Sequence, residues 1–133
     1  MSQLNSGVYI ITYYLNRKTT IQIGKLGKFQ FQKGYYYYVG SALKNLQQRI
    51  DRHLRKEKSL RWHIDYLSTK AKAVDFLPIY TTEKIECQIA QQFLNDKKIE
   101  KPVKKFGSSD CRCETHLFYS SEIADLIVFD FPI

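Results

Sequence analysis

Val8 to Leu15 is a run of β-branched, aromatic and other apolar residues, with Val8, Ile10, Thr12 and Tyr14 on one side, and this predicts a strand. Asn16-Arg17-Lys18 reads as a polar turn, and residues 19–23 read as a second strand, so the two segments are expected to pair as a hairpin. Gly24-Lys25-Leu26-Gly27 reads as a loop. Phe29 and Phe31 begin a short third strand, and Lys33-Gly34 turns into Tyr35-Tyr36-Tyr37-Tyr38-Val39. That run is aromatic and β-branched, which suits a pleated strand. Tyr36 and Tyr38 share one of its faces, Tyr35 and Tyr37 the other. Gly40 lets the chain bend, and Ser41 or Asn45 can cap the next helix.

From about Leu43 the period becomes helical. Leu46, Ile50 and Leu54 form an apolar stripe of a helix ending near Lys56, with Arg49 and His53 together on one flank. A second short helix is expected from about Leu60 to Ser68. Its apolar face is Leu60, Ile64 and Leu67, and Trp62, His63, Asp65 and Tyr66 take the other faces. Residues 72–80 read as a strand that stops near Pro78. Thr82 can cap a third helix, from about Glu83 to Asn95, whose core face is Ile85, Ile89, Ala90, Phe93 and Leu94. Glu86 falls on the rim of that face, where a carboxylate must be paired, protonated or metal-bound. A basic connector follows, then loop chemistry from Phe106, strand chemistry after Thr115, and a last apolar element of unassigned type over residues 123–131. The expected fold is α+β: one domain with a small central antiparallel sheet flanked by helices.

Charge adds a partner class. The net charge is +8, and it is unevenly placed. Nine Lys or Arg face three Asp or Glu between Ser41 and Lys72, and six face two between Lys97 and Arg112. Clustered positive charge beside aromatics is the footprint of a nucleic-acid binder, and it is also what a solvated basic surface looks like. No apolar run approaches the ~20 residues of a membrane helix. The N-terminus lacks a basic-then-apolar signal pattern. An odd cysteine count, three, makes no disulfide framework, so a reducing cytoplasm fits the composition.

Two tripeptides carry a resemblance. Gly7-Val8-Tyr9 opens the first strand and Tyr38-Val39-Gly40 ends the tyrosine strand. With Ser41, Ala42, Arg49 and His53 they resemble the GIY-YIG nuclease superfamily. Tyr-Val-Gly-Ser-Ala followed by Arg-x-x-x-His looks like the catalytic module of phage intron-homing endonucleases. Ser41 stands where the repair nucleases of the superfamily carry lysine, so the likeness leans away from them. Tyr38 follows Tyr9 by 29 positions. Many relatives join these strands by a short hairpin, so an extra strand or two must be inserted here. Trp62-His63-Ile64-Asp65 and Phe106–Tyr119 look like one branch described only as a domain of unknown function in archaea and bacteria. That likeness spans roughly Gly7 to Tyr119, most of the chain.

The resemblance implies a metal-dependent endonuclease acting on DNA, with RNA left open and a partner protein as another source of specificity. It implies Tyr9, the preferred general base, with Tyr38, Arg49 and His53 as the catalytic set. Glu86 is the implied ligand of one Mg²⁺ or Mn²⁺, with Glu83 as runner-up. The chemistry of those side chains suits the task. Arginine neutralises phosphate oxygens through its planar fork. A hard divalent ion takes one carboxylate and otherwise keeps water. A tyrosine with an ordinary pKa near ~10 needs a nearby cation to act as a base. Ser41, Lys44, Arg52, Arg55, Lys56 and His63 are the candidate nucleic-acid contacts. Cys111-x-Cys113-x-x-His116, with Cys87 brought in from the third helix, offers four zinc ligands. The spacing is tight and lacks a second close pair, so the cysteines read first as plain thiols. Asp110 and His116 read alternatively as groove residues, with Gly107-Ser108-Ser109 as a flexible entry. Two rivals use the same residues without chemistry: a nucleic-acid-binding module on the nuclease scaffold, and a partner-binding domain with an aromatic surface.

Overall fold

The computed structural model describes residues 5–56, 58–108, 113–124 and 126. Four antiparallel strands form the central sheet: β1 (Gly7–Leu15), β4 (Gly34–Ala42), β5 (Lys72–Tyr80) and β6 (Leu117–Ser120), in the order β5-β1-β4-β6. Three helices accompany it: α1 (Leu46–Leu54), α2 (His63–Ser68) and α3 (Glu86–Leu94). The protein is therefore α+β with a central antiparallel sheet flanked by helices, as the patterning predicts. No helix among the described residues is long and apolar enough to cross a membrane.

The expected hairpin of the first two strands is not what forms. β2 (Thr19–Ile23) pairs with β3 (Gly27–Phe31) in a separate two-stranded sheet, and β1 pairs with β4 and β5 instead. Burial explains the choice. β1 is buried on both faces, so it belongs between two strands, whereas β2 and β3 keep polar positions facing water. The inserted ribbon is the extra pair of strands that the 29-residue spacing demands.

The central sheet separates two cores. On one face Tyr9, Ile11, Tyr13 and Leu15 of β1 meet Tyr36 and Tyr38 of β4, and Leu46 and Ile50 of α1 close over them. On the other face Val8, Ile10, Tyr37 and Val39 meet Ile85, Ile89, Ala90 and Phe93 from the third helical segment. The predicted alternation of the tyrosine strand is thus the real one.

Local details depart from expectation at each helix start. Gly40 is not a bend: β4 continues through it to Ala42. Gly40 sits directly across from Tyr9, and a Cβ there would overlap the Tyr9 ring. Neither Ser41 nor Asn45 caps α1 with its side chain. Asn5 does so, accepting from Leu46 N through its carbonyl and from Gln47 N through Oδ1, both at 3.1 Å. α2 begins at His63 and leaves Leu60 half exposed. α3 begins at Glu86, three residues later than predicted, because Thr81 rather than Thr82 holds the turn, Oγ1 accepting from Glu83 N at 3.0 Å. Pro78 does not end β5. It lies in an edge strand, where a residue without an N–H is tolerated.

Candidate functional site

β6 begins opposite Tyr38, and one more backbone bond just before it, Val39 N to His116 O at 3.0 Å, closes that side of β4. Beyond it Gly40 and Ser41 face a cleft of about 390 Å³. Tyr9 and Tyr38 line it from the sheet, Arg49 from α1, Arg61, Trp62 and His63 from the start of α2, and Glu86 from α3. α3 packs its body on the opposite face of the sheet, yet its first residue reaches the cleft on Arg49's side. Four of the residues that the resemblance singles out, Tyr9, Tyr38, Arg49 and Glu86, therefore line one cleft.

His53 stands behind the cleft. It is almost fully buried under Tyr9, with Nε2 2.8 Å from the Tyr9 hydroxyl, rather than on the solvent flank of α1. Its Nδ1 is buried and meets no hydrogen-bond partner among the described residues. Burial, aided by the positive charge of Lys58, pushes the imidazole down to about 3, so it is neutral at physiological pH. Burial also pushes both Tyr9 and Tyr38 well above the ordinary phenol value. At Tyr9 the Arg49 guanidinium pulls the other way.

Arg49 is half-buried and held on two sides. Its Nη1 donates to Ser41 O at 3.3 Å, and its guanidinium lies 5.0 Å from the Trp62 ring centre. Arg52 and Arg61 also approach that ring, at 4.4 and 5.6 Å. Glu86 is a quarter exposed and its Oε2 lies 3.2 Å from His116 Nδ1. Burial holds His116 below the ordinary imidazole value although Glu86 opposes it. Glu86 is the one carboxylate lining the cleft among the described residues, which suits a hard ion completed by water and phosphate. Glu83 is exposed and does not line the cleft.

The candidate phosphate contacts separate into two groups. Ser41, Lys44, Arg55 and Lys56 are exposed. Arg52 is a correction: its fork is committed to the buried Asp65, at 2.9 and 3.0 Å, and also donates to Ser59 O. Asp65 in turn accepts from the amides of Arg61 and Trp62, closing the start of α2. His63 is tied to the floor of the cleft, its Nδ1 accepting from Gly107 N at 2.9 Å. Gly107 has φ +68, and a Cβ there would come 2.8 Å from Tyr38.

Sequence reasoning passed over Arg61 and Trp62 as cleft residues. The signal available was a lone tryptophan between a basic helix and a second helix, with arginines at 49, 52 and 61. Of the four zinc candidates, Cys87, Cys113 and His116 place their ligand atoms within 4.8 Å of one another. Cys111 lies outside the described residues, as does most of the apolar segment 123–131.

The family described as Domain of unknown function DUF123 matches residues 8–128. The chain belongs to that family. No curated protein and no solved structure matches it.

Proposed function

We propose that the protein is a metal-dependent endonuclease of the GIY-YIG type that cleaves DNA phosphodiester bonds. The observation that supports this reading is the cleft itself: two strand tyrosines, an arginine and, among the described residues, a single carboxylate, delivered from four elements, with a buried histidine behind the first tyrosine. Glu86 would hold one Mg²⁺ or Mn²⁺, and that ion would supply Lewis acidity to the phosphoryl group. Arg49, braced by Ser41 O and Trp62, meets the non-bridging oxygens and neutralises the charge that builds there. Arg61 and the exposed Lys44, Arg55 and Lys56 hold the flanking phosphates.

Tyr9 manages the proton. Its hydroxyl takes the proton of the attacking water as its own passes to His53 Nε2, across the 2.8 Å that already separates them. Burial holds the resting pair as neutral phenol and neutral imidazole. A phosphodiester in the cleft brings the negative charge that favours an imidazolium behind it.

The same elevation of both phenols is what favours the non-catalytic binder as the second reading, because a tyrosine that keeps its proton is a poor base. A nicking assay on supercoiled DNA with Mg²⁺ or Mn²⁺, run beside a binding titration, separates the two. Wild type should cut. Glu86→Gln should cut at least ~100-fold more slowly with binding retained, whereas Arg49→Ala should lose cleavage and some affinity together, since it also meets the ground-state phosphate. Binding without cleavage by wild type on duplex, branched and single-stranded substrates would establish the binding module. Equal cutting by Glu86→Gln would remove that residue from the metal.

A further inference from the structure

A second group of side chains sits next to the cleft and has no part in the chemistry above. Cys87 is the second residue of α3. Cys113 and His116 lie on the segment that enters β6. These are three positions on two separate stretches of chain, and their ligand atoms all fall within 4.8 Å of one another. Around a tetrahedral ion with Zn–S and Zn–N bonds of ordinary length, neighbouring ligand atoms are about 3.5–3.8 Å apart. Side-chain rotation of about an ångström therefore closes the set. Cys87 is exposed and Cys113 half-buried, so an ion has a way in, while the buried His116 is fixed.

We propose that Cys87, Cys113 and His116 bind a Zn²⁺ ion that staples the entry to β6 onto α3. Two thiolates and an imidazole are a soft donor set, suited to zinc and unsuited to Mg²⁺ or Ca²⁺. The outer partner is present as well. Glu86 Oε2 lies 3.2 Å from His116 Nδ1, and a carboxylate on one ring nitrogen orients the other toward a metal. The fourth position goes to water or another donor. On binding, each thiol releases its proton to solvent as its sulfur becomes a ligand.

The placement gives the ion a structural task. The stapled segment is itself woven into the cleft wall: Lys105 N donates to Glu114 O at 2.7 Å and His116 N to Phe106 O at 2.9 Å, next to Gly107. His116 and Glu86 both line the cleft. The zinc thus fixes the rotamer of Glu86 from behind while carrying out no reaction there. The proposal stands whether or not the cleft cuts DNA, since its readout is metal content and not cleavage.

The test uses the full chain, purified without chelator from zinc-supplemented cells, with elemental analysis of zinc per protein. Apo protein is then titrated with Co²⁺, whose thiolate charge-transfer and visible bands report tetrahedral sulfur ligation. About one zinc per chain and those bands are expected for wild type. Cys87→Ser, on the exposed start of α3, should lose both, and Glu86→Gln should weaken zinc by about 10–100-fold as removal of an outer partner does. Circular dichroism identifies any variant that fails to fold, and the wild-type cobalt spectrum stands independently of the variants. Substoichiometric zinc in wild type, an octahedral cobalt spectrum, full zinc retention by Cys87→Ser, or a Cys87–Cys113 disulfide in protein kept under reducing buffer would each overturn the site.

Discussion

His53 has one ring nitrogen on the Tyr9 hydroxyl and the other buried without a partner among the described residues, and this fixes how its protonation couples to folding. Free in the unfolded chain it titrates at 6.5, and in the folded protein burial holds it down to about 3. Between those values the unfolded state binds the extra proton, so stability falls as pH drops from 6.5 toward 3. The slope is about 1.4 kcal/mol per pH unit for one such histidine. Urea unfolding at pH 7, 6, 5 and 4 should show this loss, and His53→Gln should show a shallower slope over the same range. His63 and His116, also lowered by burial, keep part of the slope in the variant. An unchanged slope would mean that His53 is protonated in the folded state. Tyr9→Phe probes the same contact from the other side. It strands Nε2 as well as Nδ1 in the core, which should cost about 1–3 kcal/mol. It should also abolish cleavage while DNA affinity stays near wild type, because the phosphates are held by the basic side chains and not by the phenol. A Tyr9→Phe protein that cuts normally in the nicking assay would move the proton role to Tyr38.

The elements are held in register by pairs that local patterning does not announce. Arg52 and Asp65 join α1 to α2 by two bonds, and Asp65 is fully buried with four donors on its carboxylate. Burial alone would raise the Asp65 carboxyl, but these donors hold it below its ordinary value. Breaking a buried pair leaves the other charge stranded, so Asp65→Asn should lower stability by about 3–5 kcal/mol. Arg55→Ala, one turn on and exposed, should change it by less than about 0.5 kcal/mol. Thermal unfolding of the two variants side by side checks this, and similar melting temperatures would show that water reaches the pair. The helix-period reading could place Glu86 on a rim and Leu46 and Ile50 in the core, because those facts repeat every turn. It could not see that Asp65 turns inward, since the partner is thirteen residues away across a loop. Strand pairing failed for a similar reason. β1 carries apolar and aromatic residues on both faces, which fits a covered central strand, but a face pattern does not name the strands that lie on its edges. Gly40 was legible as a special position and misread as a bend, because what it accommodates is the Tyr9 ring from the neighbouring strand. The cysteine cluster was legible only as residue types. The folding of α3 against the entry to β6 supplied the distance.

At the scale of the whole molecule the net charge of +8 has to act through the surface that is still open to a partner. The structure divides the basic residues accordingly: Arg52 is spent inside, while Lys44, Arg55, Lys56 and Arg61 are exposed, Arg61 at the cleft itself. If these neutralise phosphates, each releases condensed counterions, and the logarithm of affinity falls linearly with the logarithm of salt by about 0.9 for every phosphate contacted on a duplex. Duplex DNA binding should therefore weaken steeply between low and physiological salt. Arg55→Glu and Lys56→Glu should each weaken binding to all sequences alike, and each lost contact should reduce the salt slope by about 0.9. Arg52→Glu should behave differently, lowering melting temperature first and affinity only as a consequence, because it places a second carboxylate against Asp65. Fluorescence anisotropy with a labelled duplex over a salt series reads the slope, and the melting curve of each variant separates lost contacts from lost fold. An affinity that stays flat with salt, in a protein shown to be folded, would leave the basic surface solvated and remove nucleic acid as the partner. A steep slope that survives Arg55→Glu and Lys56→Glu unchanged would instead move the DNA path to the other basic stretch, where Lys97, Lys98, Lys101, Lys104 and Lys105 lie.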